Sequence, residues 1–469
     1  MFDEKFYFQF GNGNARWARL EDLGPLLAAH GPLIGVFEGR GLYAPEQLPR
    51  INIGGAGSYK YTTHGFYRLT HPGSIFAVDV TGQMHSTTHH YNLALGREAY
   101  TLNEEGIGLY PNKHHSTNPI SFLKNNDQLM FLALFVAELL CPEPEGGMGD
   151  NAWVRSGKMR LLATLITADV QMNGFTTLPR LWKLIVMIDS DDEGFKNLGR
   201  AASPCRYDER AILLEYYYKK HNAPKEWSAV SGSLKEDLGW LADPKVQASL
   251  EGGEDFLSYL ADPKRHVVVY LVVSAPMVAV KKTYLRLMLG VAMWHAQSAG
   301  LGARPLFFVE EAAAMGAMSQ IKQALSLNRK FHETELVYQT PAQPAHLFGE
   351  TGREELFGSA SIQIYLGGGI RDTATARRIS DACGTTSVEV YDPYEAADLA
   401  MQAEQARQRA ATNHEAWLRY QHAADQQYRG RTKGVPLIRP EQLLQLPVTD
   451  QIVLVPGLGL PPIYLSEAA

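Results

Sequence analysis

Five short apolar runs constrain this chain more than anything else in it: Ser74–Val80 (SIFAVDV), His266–Val273 (HVVVYLVV), Pro305–Val309, Glu335–Gln339 and Ser361–Leu366. They do not alternate apolar with polar residues, as a strand with one wet face must. Near-continuous runs of this length belong to strands buried on both faces. The first is bounded by Pro72-Gly73 and Thr81-Gly82, and helix-forming stretches separate others, such as Lys282–Ala296 and the segment around Met318–Asn328. Strands alternating with helices predict an α/β fold on a parallel, doubly wound sheet.

The chain has 469 residues against roughly 150 for an average domain, which leaves room for two or three compact units. Asn125–Cys141 reads as a helix and CPEPEGGMGD as a loop. Residues 152–260 then carry helical spacing throughout (Leu161–Val170, Leu181–Ile188, Glu209–Lys220, Leu234–Leu241) and no strand pattern, so 125–260 is an all-α insertion between 1–124 and 261–469. Elsewhere the pattern predicts a helix over Leu20–His30, small strands at Leu33–Phe37 and Gly41–Tyr43, and a surface helix over Ala396–Gln427. The tail is predicted to hold a short helix and one strand, QIVLV.

A hydrophobic share of 45% with 20% charged residues excludes a disordered, collagen-like or disulfide-scaffold chain. With 44 Lys+Arg against 50 Asp+Glu, no global basic field draws it to nucleic acid or acidic lipid, although a local basic channel stays open. Cys141, Cys205 and Cys383 lack CxxC spacing and read as reduced thiols of a cytoplasmic protein. The acidic N-terminus is no signal peptide. The longest apolar stretches, Met130–Cys141 and Val267–Val280, fall short of the ~20 residues of a membrane helix, so no bilayer span is expected in this sequence.

From Ile51 the chain reads strand, Gly-rich turn, helix: INIGGAGSYKYTTHGFYRL. A phosphate loop, GxxxxGK[ST], wraps backbone N–H groups around the β-phosphate, sends a lysine to the β/γ oxygens and a hydroxyl to Mg2+. Here Gly54 and Lys60 are in register, and Gly55, Gly57 and Ser58 keep the loop small. Tyr59 replaces the second fixed glycine, Tyr61 replaces the Mg2+-binding Ser or Thr, and Thr62 is the hydroxyl left to take over. The plain alternative is an ordinary Gly-rich turn. The other half of such a site needs an acid at the end of an apolar strand, and Glu310-Glu311 after Leu306–Val309 fits. Acids entering a helix would look the same.

A series of short matches in order, from Gly13 to Leu465, resembles the soluble part of the TraG/TraD-type coupling ATPases of conjugation and type IV secretion. The matches are GNARWARLEDL (13–23), GGAGSYKYTT at the phosphate loop, PGSIFAVDVTGQM (72–84), Asn118-Pro119-Ile120, RPLFFVEEAAAMG (304–316), ALSLNRKF (324–331), VYQTPAQ (337–343) with HLFGE (346–350), ARRISDACGTTSVEV (376–390) and RPEQLLQLPVTDQIVLVPGLGLPPIYL (439–465). The resemblance implies a RecA-like P-loop NTPase core with an inserted all-α domain. It also implies ATP and Mg2+ as cofactors and a homo-hexameric ring with nucleotide between subunits. The partners implied are secretion-system components and a relaxase–DNA complex, single-stranded DNA included, or protein effectors. The implied place is the cytoplasmic face of the bacterial inner membrane, reached only through segments absent from this sequence.

By the same resemblance Lys60 holds phosphates, Glu310 the metal, Glu311 is the general base, Gln339 senses the γ-phosphate and Arg329 reaches a neighbour's nucleotide. Asp79 is retained, but Val80-Thr81-Gly82-Gln83 lacks the family's Pro, Lys and Glu. With the altered loop, these departures predict nucleotide binding with slow hydrolysis. The alternative is a degenerate, non-hydrolysing adaptor that docks secreted substrates.

Other constellations point to structure. His85 and His89, with His90, are expected on a polar surface helix, since a metal site needs a carboxylate or Cys beside two such histidines. His114-His115 is expected in a solvated loop. Tyr216-Tyr217-Tyr218-Lys219-Lys220 mixes aromatic and basic residues as single-strand binders do, but fits an amphipathic helix packing its tyrosines. No HExxH, GxSxG or Cys–His pairing occurs.

Overall fold

The computed structural model describes residues 13–55, 66, 68–143, 152–390, 393–410, 414–415, 417–418, 421 and 431–466. Its strands are β1 (Leu33–Phe37), β2 (Arg40–Tyr43), β3 (Arg50–Ile53), β4 (Ile75–Asp79), β5 (Glu98–Leu102), β6 (Val267–Val272) and β7 (Leu306–Val309). They continue as β8 (Glu333–Tyr338), β9 (Ile362–Leu366), β10 (Thr385–Val390), β11 (Arg431–Pro436), β12 (Gln451–Leu454) and β13 (Ile463–Leu465). The main helices are α1 (Gln83–Ala94), α2 (Leu129–Leu140), α3 (Ala152–Asn173), α4 (Leu178–Ser190), α5 (Asp192–Ala201) and α6 (Glu209–Asn222). After them come α7 (Pro224–Asp237), α8 (Lys282–Ser298), α9 (Ser319–Leu325), α10 (Ala342–Ser359), α11 (Thr373–Cys383) and α12 (Pro393–Ala410).

A nine-stranded sheet runs in the order β13-β12-β9-β3-β8-β7-β4-β6-β5. From β9 to β5 every pairing is parallel, and β12 and β13 close one side antiparallel. The five apolar runs all form strands of this sheet. In β6 all six residues are buried. Val267, Val269 and Leu271 face the core shared with the helices, and Val268, Tyr270 and Val272 face the opposite cluster. Both faces are covered, which is why the sequence shows no alternation.

Every described element between β5 and β6 is helical. The stretch Leu161–Val170 of α3 is buried without a break, so this helix is enclosed all round by α2, α6 and α7. Helix α2 packs on α8 as well, and one apolar core continues from the helical layer into the sheet. Tyr216 is buried and donates its hydroxyl hydrogen to the Gly157 carbonyl (2.9 Å), as expected of a packed tyrosine, while Tyr218 is 60% exposed. Among the described residues no helix is long and apolar enough to cross a membrane.

Several expectations need correcting. His85 and His89 are not on a surface: both are buried, and their rings pack against Tyr110 and Tyr270. Helix α1 covers the sheet with the stripe Met84, His85, Thr88, His89, Asn92. Tyr270 of β6 makes that stripe acceptable by bonding Thr88 (2.9 Å) and Asn92 (2.7 Å). A mostly polar stripe carries no apolar signal, so its burial was invisible in the sequence. Nor is His114-His115 a solvated loop. The Asn103 and Thr101 backbone N–H groups donate to Nδ1 of His114 and His115 (3.0 Å each), so the two imidazoles cover the edge strand β5. The predicted helix Leu20–His30 shrinks to a 3-10 turn, Leu20–Leu23, and one α-turn, Gly24–Leu27. The pair β10–β11 and strand β13 were not anticipated.

Candidate functional site

Parallel strands deliver their carboxyl ends to one edge, where open α/β sheets bind ligands. Across that edge the order β9-β3-β8-β7-β4 sets out Gly367, Gly54, Gln339, Glu310-Glu311 and Asp79. With strands ~4.8 Å apart, Gly54 and Asp79 stand about 14 Å from one another along the row.

Gly54 extends the β3–β8 pairing by one bond, its N–H donating to the Tyr338 carbonyl (3.0 Å). Beyond it the chain needs glycine for space. A Cβ on Gly55 would lie 3.0 Å from the Gly369 carbonyl oxygen, and one on Gly369 would collide with the Gly55 nitrogen. The turn after β9, Gly367-Gly368-Gly369, thus braces the start of the predicted phosphate loop, Gly54-Gly55, backbone to backbone. The sequence reading missed this role, although a run of three glycines behind an apolar strand was its visible signal. Gly57, Ser58, Tyr59, Lys60, Tyr61 and Thr62 lie outside the described residues.

Beyond the loop, Arg68 is buried and holds Glu335 of β8, which also binds Arg50 (Nε, 3.1 Å) and Asn52 of β3. Arg50 reaches Glu333 as well (3.3 Å). This buried ionic cluster ties the segment after the phosphate loop to the strand that carries Gln339.

Asp79 and Glu310, on neighbouring strands, are 0% and 1% exposed. Asp79 accepts the backbone N–H groups of His85 (2.7 Å) and Thr81 (3.2 Å), capping α1, and Glu310 accepts that of Val80 (3.0 Å). Burial drives Asp79 above the usual carboxylate range, and its N–H donors oppose the shift.

Glu311 is half-buried and bound by two amides: Gln339 Nε2 donates to Oε2 (3.0 Å) and Gln343 Nε2 to Oε1 (3.3 Å). Gln343 lay inside the quoted segment VYQTPAQ without being singled out. Arg329 is not near these groups within one chain. It sits exposed in the turn between α9 and β8, at the opposite end of a strand about 17 Å long.

A family model described as type IV secretory system conjugative DNA transfer matches residues 37–469. The type IV secretion system-coupling protein VirD4 of Bartonella quintana is 31% identical over 173 residues, 36% of this chain and 26% of that protein. The conjugal transfer protein TraG of Agrobacterium fabrum is 22% identical over 366 residues, 72% of this chain and 51% of that one. The chain therefore spans about a quarter to a half of the curated relatives it matches. Among solved structures, the plasmid coupling protein TrwB in complex with the ATP analogue ADPNP superposes with a TM-score of 0.68 at 15% identity. That match covers 98% of this chain and 94% of the solved TrwB chain. TrwB in complex with ADP and Mg2+ gives a TM-score of 0.65 at 14% identity over 97% and 93%. At such identity the likeness is one of fold: a RecA-like P-loop NTPase core with an inserted helical domain.

Proposed function

This chain belongs to the conjugative DNA-transfer family of the type IV secretory system, and on that premise we propose that it is the ATP-driven coupling unit of such a system. In this reading 1–124 and 261–469 form the nucleotide-binding domain, 125–260 forms the all-α domain that meets cargo, and identical subunits assemble as a hexamer. The cargo is a relaxase–DNA complex or a protein effector, passed to the secretion channel at the cytoplasmic face of the inner membrane.

ATP takes the carboxyl edge, its phosphates on Gly54, Gly55, Gly57, Ser58, Tyr59, Lys60 and Tyr61. Glu310 and Thr62, together with the neighbouring-strand Asp79 of the Glu310 pair, would offer the hard oxygen ligands that suit Mg2+. The buried carboxyl pair would fit such an ion, which is commonly held by one or two carboxylates. When bound, Mg2+ supplies charge neutralisation at the β- and γ-phosphates. Glu311 takes a proton from the water that attacks the γ-phosphorus, and the leaving electron pair passes to the bridging oxygen of ADP. Gln339 contacts the γ-phosphate, and Arg329 of the next subunit completes the site.

The observation that carries this reading is the Glu311–Gln339 hydrogen bond, made beside the glycine turn that opens the phosphate loop. ATP turnover by assembled protein, with and without single-stranded DNA, tests it. Lys60→Ala should weaken ATP binding at least tenfold and Glu311→Gln should abolish turnover. Equal binding by wild type and Lys60→Ala would reject the site. A second reading, a non-hydrolysing adaptor, is favoured by Tyr59 and Tyr61 in the loop. It requires that Glu311→Gln leave substrate transfer unchanged.

A further inference from the structure

Gln343 makes two contacts that no other side chain among the described residues of the site combines. Its Nε2 donates to Glu311 Oε1 (3.3 Å), and its Oε1 accepts the backbone N–H of Gln339 (2.7 Å). Gln339 in turn donates its side chain to the other oxygen of Glu311 (3.0 Å). The three residues close a ring, with Glu311 from the end of β7, Gln339 from the end of β8 and Gln343 from the first turn of α10. The amide closes it by supplying, at one side-chain end, a donor toward the carboxylate and an acceptor toward the peptide N–H.

We propose that Gln343 is a positioning residue that fixes Glu311 relative to Gln339. Its consequence for turnover rests on the hydrolytic reading above, but its geometry does not. Without it, Glu311 keeps one amide contact and gains rotamer freedom, and Gln339 loses the bond that holds its backbone. A displacement of about 1 Å at a reacting group can cost 10²-fold in rate while binding is spared.

Two variants separate the contacts. Gln343→Met keeps the length and removes both. Gln343→Glu keeps the acceptor for the Gln339 N–H, removes the donor and sets a second carboxylate against Glu311. Hydrogen–deuterium exchange at the Gln339 amide, resolved by fragmentation of its peptide, reads the ring without nucleotide. Protection should fall about three- to tenfold in Gln343→Met and persist in Gln343→Glu. ATP turnover by the assembled protein reads the consequence: kcat should fall 10- to 100-fold in both, further in Gln343→Glu, with KM and melting temperature close to wild type. A residue of merely structural use would show the opposite order, the near-isosteric Glu being the milder change. Unchanged Gln339 exchange in Gln343→Met overturns the proposal whatever the turnover. Absent turnover in wild type overturns the hydrolytic reading alone, since the exchange result still decides the ring.

Discussion

Replacing Glu335 by Gln changes one atom at the centre of the buried ionic cluster and almost nothing in volume. Glu335 is 0% exposed and Arg50 and Arg68 are 1% exposed each, so water cannot make good what is lost. The carboxylate serves both guanidiniums and the Asn52 amide. At an effective dielectric of ~20, each pair contributes about 4 kcal/mol of attraction, or about 8 for the two. Several kcal/mol return because a neutral amide is cheaper to bury, leaving a net loss of about 3–5 kcal/mol, the usual cost of orphaning a buried charge. With about 2.1 cal/mol/K of unfolding entropy per residue, a chain of 469 residues loses about 1 °C per kcal/mol, so melting should fall by about 3–5 °C. Circular dichroism melts of wild type, Glu335→Gln, Arg68→Leu and the double variant measure this. The pairing also predicts that Arg68→Leu costs less in the Glu335→Gln background than alone, because its partner is already gone. A shift below 1 °C, or strictly additive losses, would refute the reasoning. ATP affinity should drop too, since the cluster anchors the segment that follows the phosphate loop.

Gly369→Ala should weaken ATP binding at least tenfold with little change in melting, because its Cβ meets the backbone of Gly54 and Gly55 and no flexible side chain can yield; isothermal titration decides. Arg329→Ala should lower turnover of assembled rings about 10³-fold and leave ATP affinity within about threefold. Mixing it with Glu311→Gln subunits should restore part of the activity, since some interfaces then hold both groups intact. Burial lowers His71 to about 3 and His85 and His332 to about 4. The unfolded chain therefore takes up protons that the folded one refuses. Stability from these groups is complete above pH 6.5 and is lost as pH falls from there toward about 4, at roughly 1.4 kcal/mol per pH unit for each histidine. Melts of His332→Leu between pH 7.5 and 5 should show a slope shallower by about one proton, and an unchanged slope would exclude His332 as a source.

Much of the element order, and the shared edge of Gly54, Asp79, Glu310, Glu311 and Gln339, could be read without coordinates. Apolar runs without alternation can exist only as strands covered on both faces, and Leu161–Val170 only as an enclosed helix. Gly54, Glu310, Glu311 and Gln339 each stand directly after such a strand, so once the sheet is parallel they must share one edge. Strand order was beyond the sequence. The placement of β8 between β3 and β7 brings Gln339 to Glu311, residues 28 positions apart, and Gln343 enters only because α10 begins where that strand ends. Burial of polar side chains was equally hidden. Composition marks Arg50, Arg68, Glu333 and Glu335 as surface residues, and only their partners across the sheet remove the desolvation penalty that would hold them in water. Local patterning thus determined what each segment could become. Which polar groups could leave the solvent was decided by long-range pairing, because a buried charge is tolerable only where a distant part of the chain supplies its counterpart.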